Sequence, residues 1–389
     1  MNLKKIALFY PPHSNYGTMY QYTDSMFKAF EELGFTCLKI RGSELEQPIT
    51  LKEKLFVENP QFTFSFNGLL PDSQGNFLAD TLEIPHFAFL LDSPARFTPI
   101  FKSQYTYVIC PDRDLSIFAQ RYKFKRISFI PVGVDTEIAG EEVTNRDIDV
   151  LMLSTCIDYE EIREKWKQKY PKIVLRALEE AAEQTLSVDK INYVSAFWDC
   201  LERYQVHPVD VDYPYILMEL ENYIRGKDRI HLLKGLKDHR IELYGSELGS
   251  RGWGHYLKKS QNVKIHSPVP FSEAISLMRR AKVTLNSCPS YKNGLHTRFL
   301  ASALAGSIPA TNAIPYLDTH FDHSNEMILY RWNQYVETTK QIQYILEDEE
   351  IRSKMNSSIV SRILHNHTWK HRAEEISALY QRRFGLFRS

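Results

Sequence analysis

Apolar runs of four to six residues recur along the first third of this chain, and amphipathic helical stretches separate them. Ile6–Phe9 reads as a strand ended by Pro11-Pro12. Thr18–Leu33 places Met19, Tyr22, Met26, Phe30 and Leu33 at helical spacing, and Gly34 stops it as a glycine after the last turn does. Strands follow at Thr36–Ile40, Phe62–Phe66, His86–Leu91, Tyr107–Cys110 and Ile127–Ile130, with a short helix at Leu51–Val57. The pattern restarts at Val150–Ser154, then lapses. From Asp158 to about Gly226 charged helix-forming sequence dominates, including Glu160–Lys169, Ile173–Gln184 and Tyr215–Tyr223. A helix ending at Ile230–Leu236 precedes strands at Ile241–Tyr244, Val263–His266, Val283–Asn286, Ile308–Thr311 and Met327–Leu329. Helices are predicted at Phe271–Arg280 and Thr297–Ala305, then at Tyr335–Glu347, Glu350–Leu364 and Trp369–Phe384.

Short apolar strands linked by helices predict parallel sheets covered on both faces. The polar, Gly- and Pro-containing stretch after Ile130 marks a boundary. Two doubly wound α/β halves result: residues 1–135, and residues 136–368 with a helical insertion over about 158–226. Such sheets hold ligands outside the carboxyl ends of their strands, so the strand-end loops are expected to wall one central cleft between the halves.

Composition narrows the partners. The chain has 389 residues, and its 48 Lys+Arg equal its 48 Asp+Glu. No global field therefore draws it to nucleic acid. Aromatic content is 13%, most of it expected in the core, with some available to line a sugar or base pocket. The five cysteines never form a C-x-x-C pair, which points to a reducing cytoplasm and away from a zinc site or disulfide framework. The N-terminal apolar run is too short for a signal peptide, and no run approaches the ~20 residues of a membrane helix. His367 and His371 have the i, i+4 spacing of metal ligands, but no carboxylate or cysteine accompanies them in sequence, so no metal is expected.

The richest stretch is Tyr291-Lys-Asn-Gly-Leu-His296-Thr-Arg298-Phe-Leu-Ala-Ser-Ala-Leu-Ala-Gly306-Ser-Ile-Pro309. A loop with a cation and an imidazole opens a small-residue helix. The unpaired N–H groups and dipole at such a helix start suit a phosphate, with Arg298 as a bidentate partner. The alternative is a packed crossover helix whose Arg298 caps a neighbour.

Four stretches together resemble one family. Pro131-Val-Gly-Val-Asp135 resembles the interdomain P-x-GVD turn of the family 4-like glycosyltransferases. Ile241-Glu-Leu-Tyr-Gly245 resembles their donor-site strand ending in Gly. Arg298-Phe-Leu-Ala-Ser-Ala-Leu-Ala-Gly306 resembles R-x-F-E-A-M-A-x-G, and His367-Thr-Trp-Lys-His-Arg372 resembles the H-T-x-x-H-R of the spore-maturation-type (CgeB-like) group. The order and spacing fit over nearly the whole chain except the insertion. The resemblance implies a GT-B fold: two Rossmann-like domains facing a cleft, the first for acceptor, the second for the nucleotide-sugar donor. It implies a last helix, about 369–389, that crosses back to the first domain. It also implies metal-independent transfer of a sugar, with no cofactor beyond the donor co-substrate. Ala301 and Asn293 stand where many relatives carry the glutamates that hold the donor ribose. The nearest replacements are Asp318 and Asp322. Losing such a carboxylate removes a charge-assisted bond of about 1.5–3 kcal/mol.

Within that frame the donor-binding candidates are Gly245, Ser246, Asn286, Asn293, Gly294, His296, Arg298 and Asp318. Arg251 and Lys258 are the next cations, each more readily read as a solvated surface charge. In the first half Asp92 after the strand His86–Leu91 is the general-base candidate for an inverting enzyme, and His13 is second. Gly17 and Asn67 are candidate acceptor-side cleft residues, and Thr18 is a candidate helix cap. The alternatives for Asp92 and His13 are a helix cap or turn former and a loop histidine. The acceptor, whether glycan, protein or small molecule, is not specified. A catalytically silent relative that binds nucleotide or glycan, or scaffolds a partner through the insertion, and a nucleotide-sugar epimerase remain alternatives.

Overall fold

The computed structural model describes residues 4–140 and 145–384. The chain divides into two compact units. One is Met1–Asp135 with Asn366–Ser389, the other Thr136–His365.

The first unit is a six-stranded, all-parallel sheet of β1 (Lys5–Phe9), β2 (Thr36–Ile40), β3 (Phe62–Phe66), β4 (His86–Phe89), β5 (Thr106–Cys110) and β6 (Ile127–Phe129), ordered β2-β1-β3-β4-β5-β6. β3 is buried at every position, as a central strand covered on both faces must be. The aromatic surplus is spent here. Phe62 meets Phe87 edge-on at 5.2 Å, Phe66 meets Trp369 at 5.4 Å, and Phe62 meets Tyr380 at 5.0 Å. Trp369 and Tyr380 belong to the helix Trp369–Phe384. The segment before that helix pairs with the Pro131–Asp135 turn: Val134 N–H donates to His367 O at 3.0 Å, and Trp369 N–H donates to Val134 O at 3.1 Å. Asp135 accepts in turn from Ser25 Oγ at 2.7 Å and Gln21 Nε2 at 3.3 Å. Two of the four motif stretches are thus partners in one piece of packing.

The second unit holds β7 (Ile148–Leu153), β8 (Cys156–Ile157), β9 (Ile241–Tyr244), β10 (Glu247–Leu248), β11 (Val263–His266), β12 (Ala281–Asn286), β13 (Ile308–Asn312) and β14 (Ile328–Tyr330). Six form a parallel sheet ordered β11-β9-β7-β12-β13-β14, and β8 and β10 pair beside it. Taken by position in the unit, that order is the 3-2-1-4-5-6 of a dinucleotide fold.

The insertion is helical, at Tyr159–Lys169, Lys172–Ser187, Tyr193–Arg203 and Tyr213–Gly235. Its expected end near Gly226 falls inside the last helix, which runs unbroken for 23 residues. Gly226 is no breaker: a Cβ there would lie 2.5 Å from Ile157 O, so glycine lets the helix cross β8 closely. Among the described residues no helix is long and apolar enough to cross a membrane.

Gly226→Ala tests this packing. Helix propensity alone favours alanine by about 1 kcal/mol, but overpacking of this kind costs about 1–3 kcal/mol. Urea unfolding is expected to show a net loss; a gain in stability would show that the crossing is loose.

Candidate functional site

In the second unit the strand order reverses between β7 and β12. Open α/β sheets bind ligands in the crevice at the carboxyl ends beside such a reversal. The helix Tyr213–Gly235 lies over this end of the sheet and brings Asp228 and Arg229 to it, 0% and 3% exposed. Asp228 Oδ2 accepts from Ser287 Oγ at 2.6 Å, just after β12, and from Tyr330 Oη at 2.7 Å, on β14. Asn312 Nδ2, at the end of β13, reaches both carboxylate oxygens at 3.4 Å, and its Oδ1 accepts from Cys288 N–H at 2.7 Å. One buried acid therefore fastens the helix to three strand ends. Burial raises its pKa, and the bonds from Ser287, Tyr330 and Asn312 oppose the rise.

Arg229 points the other way, its Nη1 donating to Thr155 O at 2.7 Å, beyond β7. Its buried Nε has no hydrogen-bond partner among the described residues. Burial, then the fields of Arg225 and Arg298, hold its pKa well below the ordinary arginine value. Burial and the same three guanidiniums, Arg298 foremost, press His296 well below the usual histidine range. His296 stays neutral, and its Nδ1 caps the helix Thr297–Leu304 by accepting from Arg298 N–H at 3.1 Å. Arg298 Nη1 approaches Asn286 Oδ1 at 3.5 Å. Cys288 lies in the same fields, yet burial pushes its thiol up to about 11, so at neutral pH it is an unreactive thiol. Arg225 stands 3.7 Å from the buried Glu221. Buried Lys292 donates to Thr185 O at 2.9 Å and Val188 O at 3.4 Å, at the end of the helix Lys172–Ser187. Four cations meet two carboxylates here, Glu221 and Asp228, so the cluster favours an anion.

The structure gathers Asn286, Gly294 and His296 around one small cavity with Cys288, Thr311 and Asn312. Its volume is about 10 Å³, room for roughly one water, so a larger anion would lie across its mouth. Asn286 is committed to the fold as well, since its Nδ2 donates to Thr311 Oγ1 at 3.0 Å. Asn293 is a partly buried residue of the same loop. Gly245 is glycine because Ser154 O would lie 1.6 Å from a Cβ. Ser246 Oγ meets Thr155 Oγ1 at 3.0 Å. Asp318 lies apart, on the helix Pro315–His320, lining a different groove with Met355 and Ser358. Arg251 is held by Glu164 at 2.7 Å and Glu160 at 3.2 Å, and Lys258 is exposed elsewhere.

In the first unit the order reverses between β1 and β3, and the loops after these strands carry His13, Gly17 and Asn67. His13 is exposed. Gly17 has φ 76°, in the left-handed region. Ser14, not Thr18, supplies the side-chain bond at the helix start, Oγ accepting from Met19 N–H at 2.8 Å. Asn67 Oδ1 accepts from Leu91 N–H at 2.8 Å, tying the loop after β3 to the one that carries Asp92. Asp92 is not the helix cap; Ser93 Oγ accepts from Ala95 N–H at 3.3 Å in that role. His367 and His371 serve structure: His371 Nδ1 meets Thr368 Oγ1 at 2.7 Å. Among the described residues no group of three or more His, Cys, Asp or Glu could hold a metal ion.

Sequence reading missed Arg225, Asp228 and Arg229. A signal existed. The buried stripe of Leu217, Ile224 and Leu232 continues in helical phase through Glu221 and Asp228, which places charges on a core face.

Asp228→Ala strands three donors and is expected to cost about 3–5 kcal/mol in urea unfolding; a loss below 1 kcal/mol would show that this network does not anchor the helix. Acidification gives a second test. A histidine with a depressed folded pKa adds stability above the unfolded value of about 6.5 and loses it as pH falls below that. His296→Asn, which retains capping ability, is expected to lose less stability than the parent between about pH 7.5 and 5.5. Equal losses would mean that the imidazole titrates freely.

Residues 227–378 match a family model described as glycosyl transferase-like. No curated protein matches the chain in sequence. Among solved structures, a glycosyltransferase from Rickettsia africae ESF-5 superposes with TM-score 0.59 at 11% identity, covering 100% of both chains. Sucrose-phosphate synthase from Thermosynechococcus elongatus gives 0.58 at 11% identity over 98% of this chain and 100% of that one. HepE from Anabaena, solved in complex with UDP, gives 0.55 at 9% identity over 98% and 100%. At these identities the likeness speaks to architecture: two parallel six-stranded sheets flanked by helices, the GT-B fold of glycosyltransferases.

Proposed function

We propose that the chain is a glycosyltransferase that moves a hexose from a nucleoside-diphosphate sugar to an acceptor hydroxyl without a bound metal. The observation that carries this is the convergence of Arg225, Arg229 and Arg298 at the strand-order reversal of the second unit. The glycosyl transferase-like match over 227–378 and a UDP-bound neighbour of the same fold support it.

The chemistry follows from charge. Breaking the bond from the anomeric carbon to the β-phosphate leaves negative charge on the diphosphate. Prepositioned guanidiniums and a helix start stabilise that charge without reorganising. Arg298 and Arg229 take that role, and neutral His296 can donate through Nε2. The acceptor oxygen attacks the anomeric carbon as its proton passes to a base. Asp92 is assigned as that base for an inverting reaction, with His13 second. Gly17 and Asn67 shape the acceptor-side loops.

Asn293 and Ala301 favour one second reading, a nucleotide binder without transfer. Ala301 is buried and offers the ribose no acceptor.

Thermal unfolding with UDP, GDP, dTDP and CMP, then donor hydrolysis, separates the two. A bound nucleotide at a hundredfold excess over Kd adds about 2.7 kcal/mol. We expect a shift with at least one, abolished in Arg298→Ala; an unchanged shift in that variant would remove Arg298 from the site. A shift with no hydrolysis of any cognate donor would favour the silent binder. In Asp92→Asn the nucleotide shift should persist while turnover falls about 100-fold or more. Full turnover would exclude Asp92 as base.

A further inference from the structure

A groove of about 790 Å³ runs along the second unit where the helix Tyr213–Gly235 ends and β11 begins. Lys234, Lys237, Lys258 and Lys259 line it with His255, and all five are exposed. None of the four lysines is in an ion pair among the described residues, although many lysines elsewhere on the chain are, such as Lys5 with Glu58 at 2.9 Å and Lys282 with Asp149 at 2.7 Å. The one acid in the lining, Glu160, lies 3.2 Å from Arg251, which it shares with Glu164 and Asp158, so it offsets at most one of the four lysines. The remaining lining is polar and uncharged: Ser260, Gln261 and Asn262. The wall is fixed, because Asn262 Nδ2 donates to Leu236 O and His239 O, both at 2.8 Å. In a chain of zero net charge, four lysines against one acid give the groove a net positive field.

We propose that this groove binds an extended, phosphate-bearing polymer. Lysines are mobile point charges and suit a row of tetrahedral anions, whereas planar bidentate recognition would call for arginine, and no arginine lines the groove. Its one aromatic other than His255, Tyr256, is buried, so no platform exists to stack bases. A concave wall follows a chain better than a flat bilayer. The groove stands at the amino ends of β9 and β11, whereas the arginine cluster stands at the carboxyl ends of β7 and β12. The polymer site is therefore separate from the donor site, and its occupancy does not depend on glycosyl transfer.

The test uses the full chain and long-chain inorganic polyphosphate as probe, with fluorescence anisotropy of the labelled probe as readout and saturating UDP present to occupy the donor site. Four phosphate contacts predict that affinity falls roughly 50-fold between about 50 and 200 mM salt. The exposed substitutions Lys237→Gln, Lys258→Gln and Lys259→Gln, combined, are expected to weaken binding at least about tenfold while leaving the unfolding temperature unchanged. Absence of binding at low salt overturns the proposal, as does equal affinity in the triple variant. Tighter binding of a single-stranded oligonucleotide of matched charge overturns it in favour of nucleic acid. Binding to phosphatidylserine–phosphatidylcholine vesicles without binding to polyphosphate overturns it in favour of a membrane.

Discussion

The second unit depends on one buried carboxylate. Asp228 is inaccessible to water, and three strand-end side chains hold it. Desolvating a carboxylate costs several kcal/mol unless hydrogen bonds replace its water. Ser287, Tyr330 and Asn312 provide that replacement, and each sits on or directly after a different strand, β12, β14 or β13. The network is satisfied only when the helix Tyr213–Gly235 occupies one position on the sheet. That position fixes Arg229, the next residue, over the loop beyond β7. A buried acid thus positions the neighbouring guanidinium.

The cation cluster then follows from topology. Arg229 and Arg225 come from the insertion, and Arg298 from the helix after β12. They meet because a doubly wound sheet opens its crevice where strand order reverses. Burial first, and then the crowding of three guanidiniums, lowers the pKa of both Arg229 and His296. An anion would relieve that repulsion, which is the electrostatic basis for proposing a diphosphate here. Lys292 extends the coupling, since it binds the loop before the helix Thr297–Leu304 to a carbonyl at the end of an insertion helix.

Strands such as Thr36–Ile40, Phe62–Phe66, Ile241–Tyr244 and Val263–His266 were legible to the residue, because apolar runs bounded by turns carry their own signal. The insertion's last helix was not. Gly226 read as punctuation, yet its role is a contact with Ile157, which is distant in sequence. The helix Tyr193–Arg203 fell within the expected helical insertion without bounds of its own, and the two-residue strands β8 and β10 went unpredicted; the strands are too short for any period to show. At the site, the loop Gly294–Arg298 announced itself through glycine, imidazole and cation in sequence. Arg229 did not, because its meaning lies in Asp228 and in three strand ends that only the fold assembles. Gly245 fitted a family pattern for donor contact, and the nearest demand on it is Ser154.

The central claim is that this arginine cluster grips a diphosphate. Diffraction from crystals of the full chain soaked in UDP tests it most directly. The account predicts phosphate density across the mouth of the Asn286–His296 cavity, within hydrogen-bonding distance of the Arg298 and Arg229 guanidiniums. Density elsewhere in the unit, or none at millimolar UDP with other nucleoside diphosphates equally absent, would contradict it.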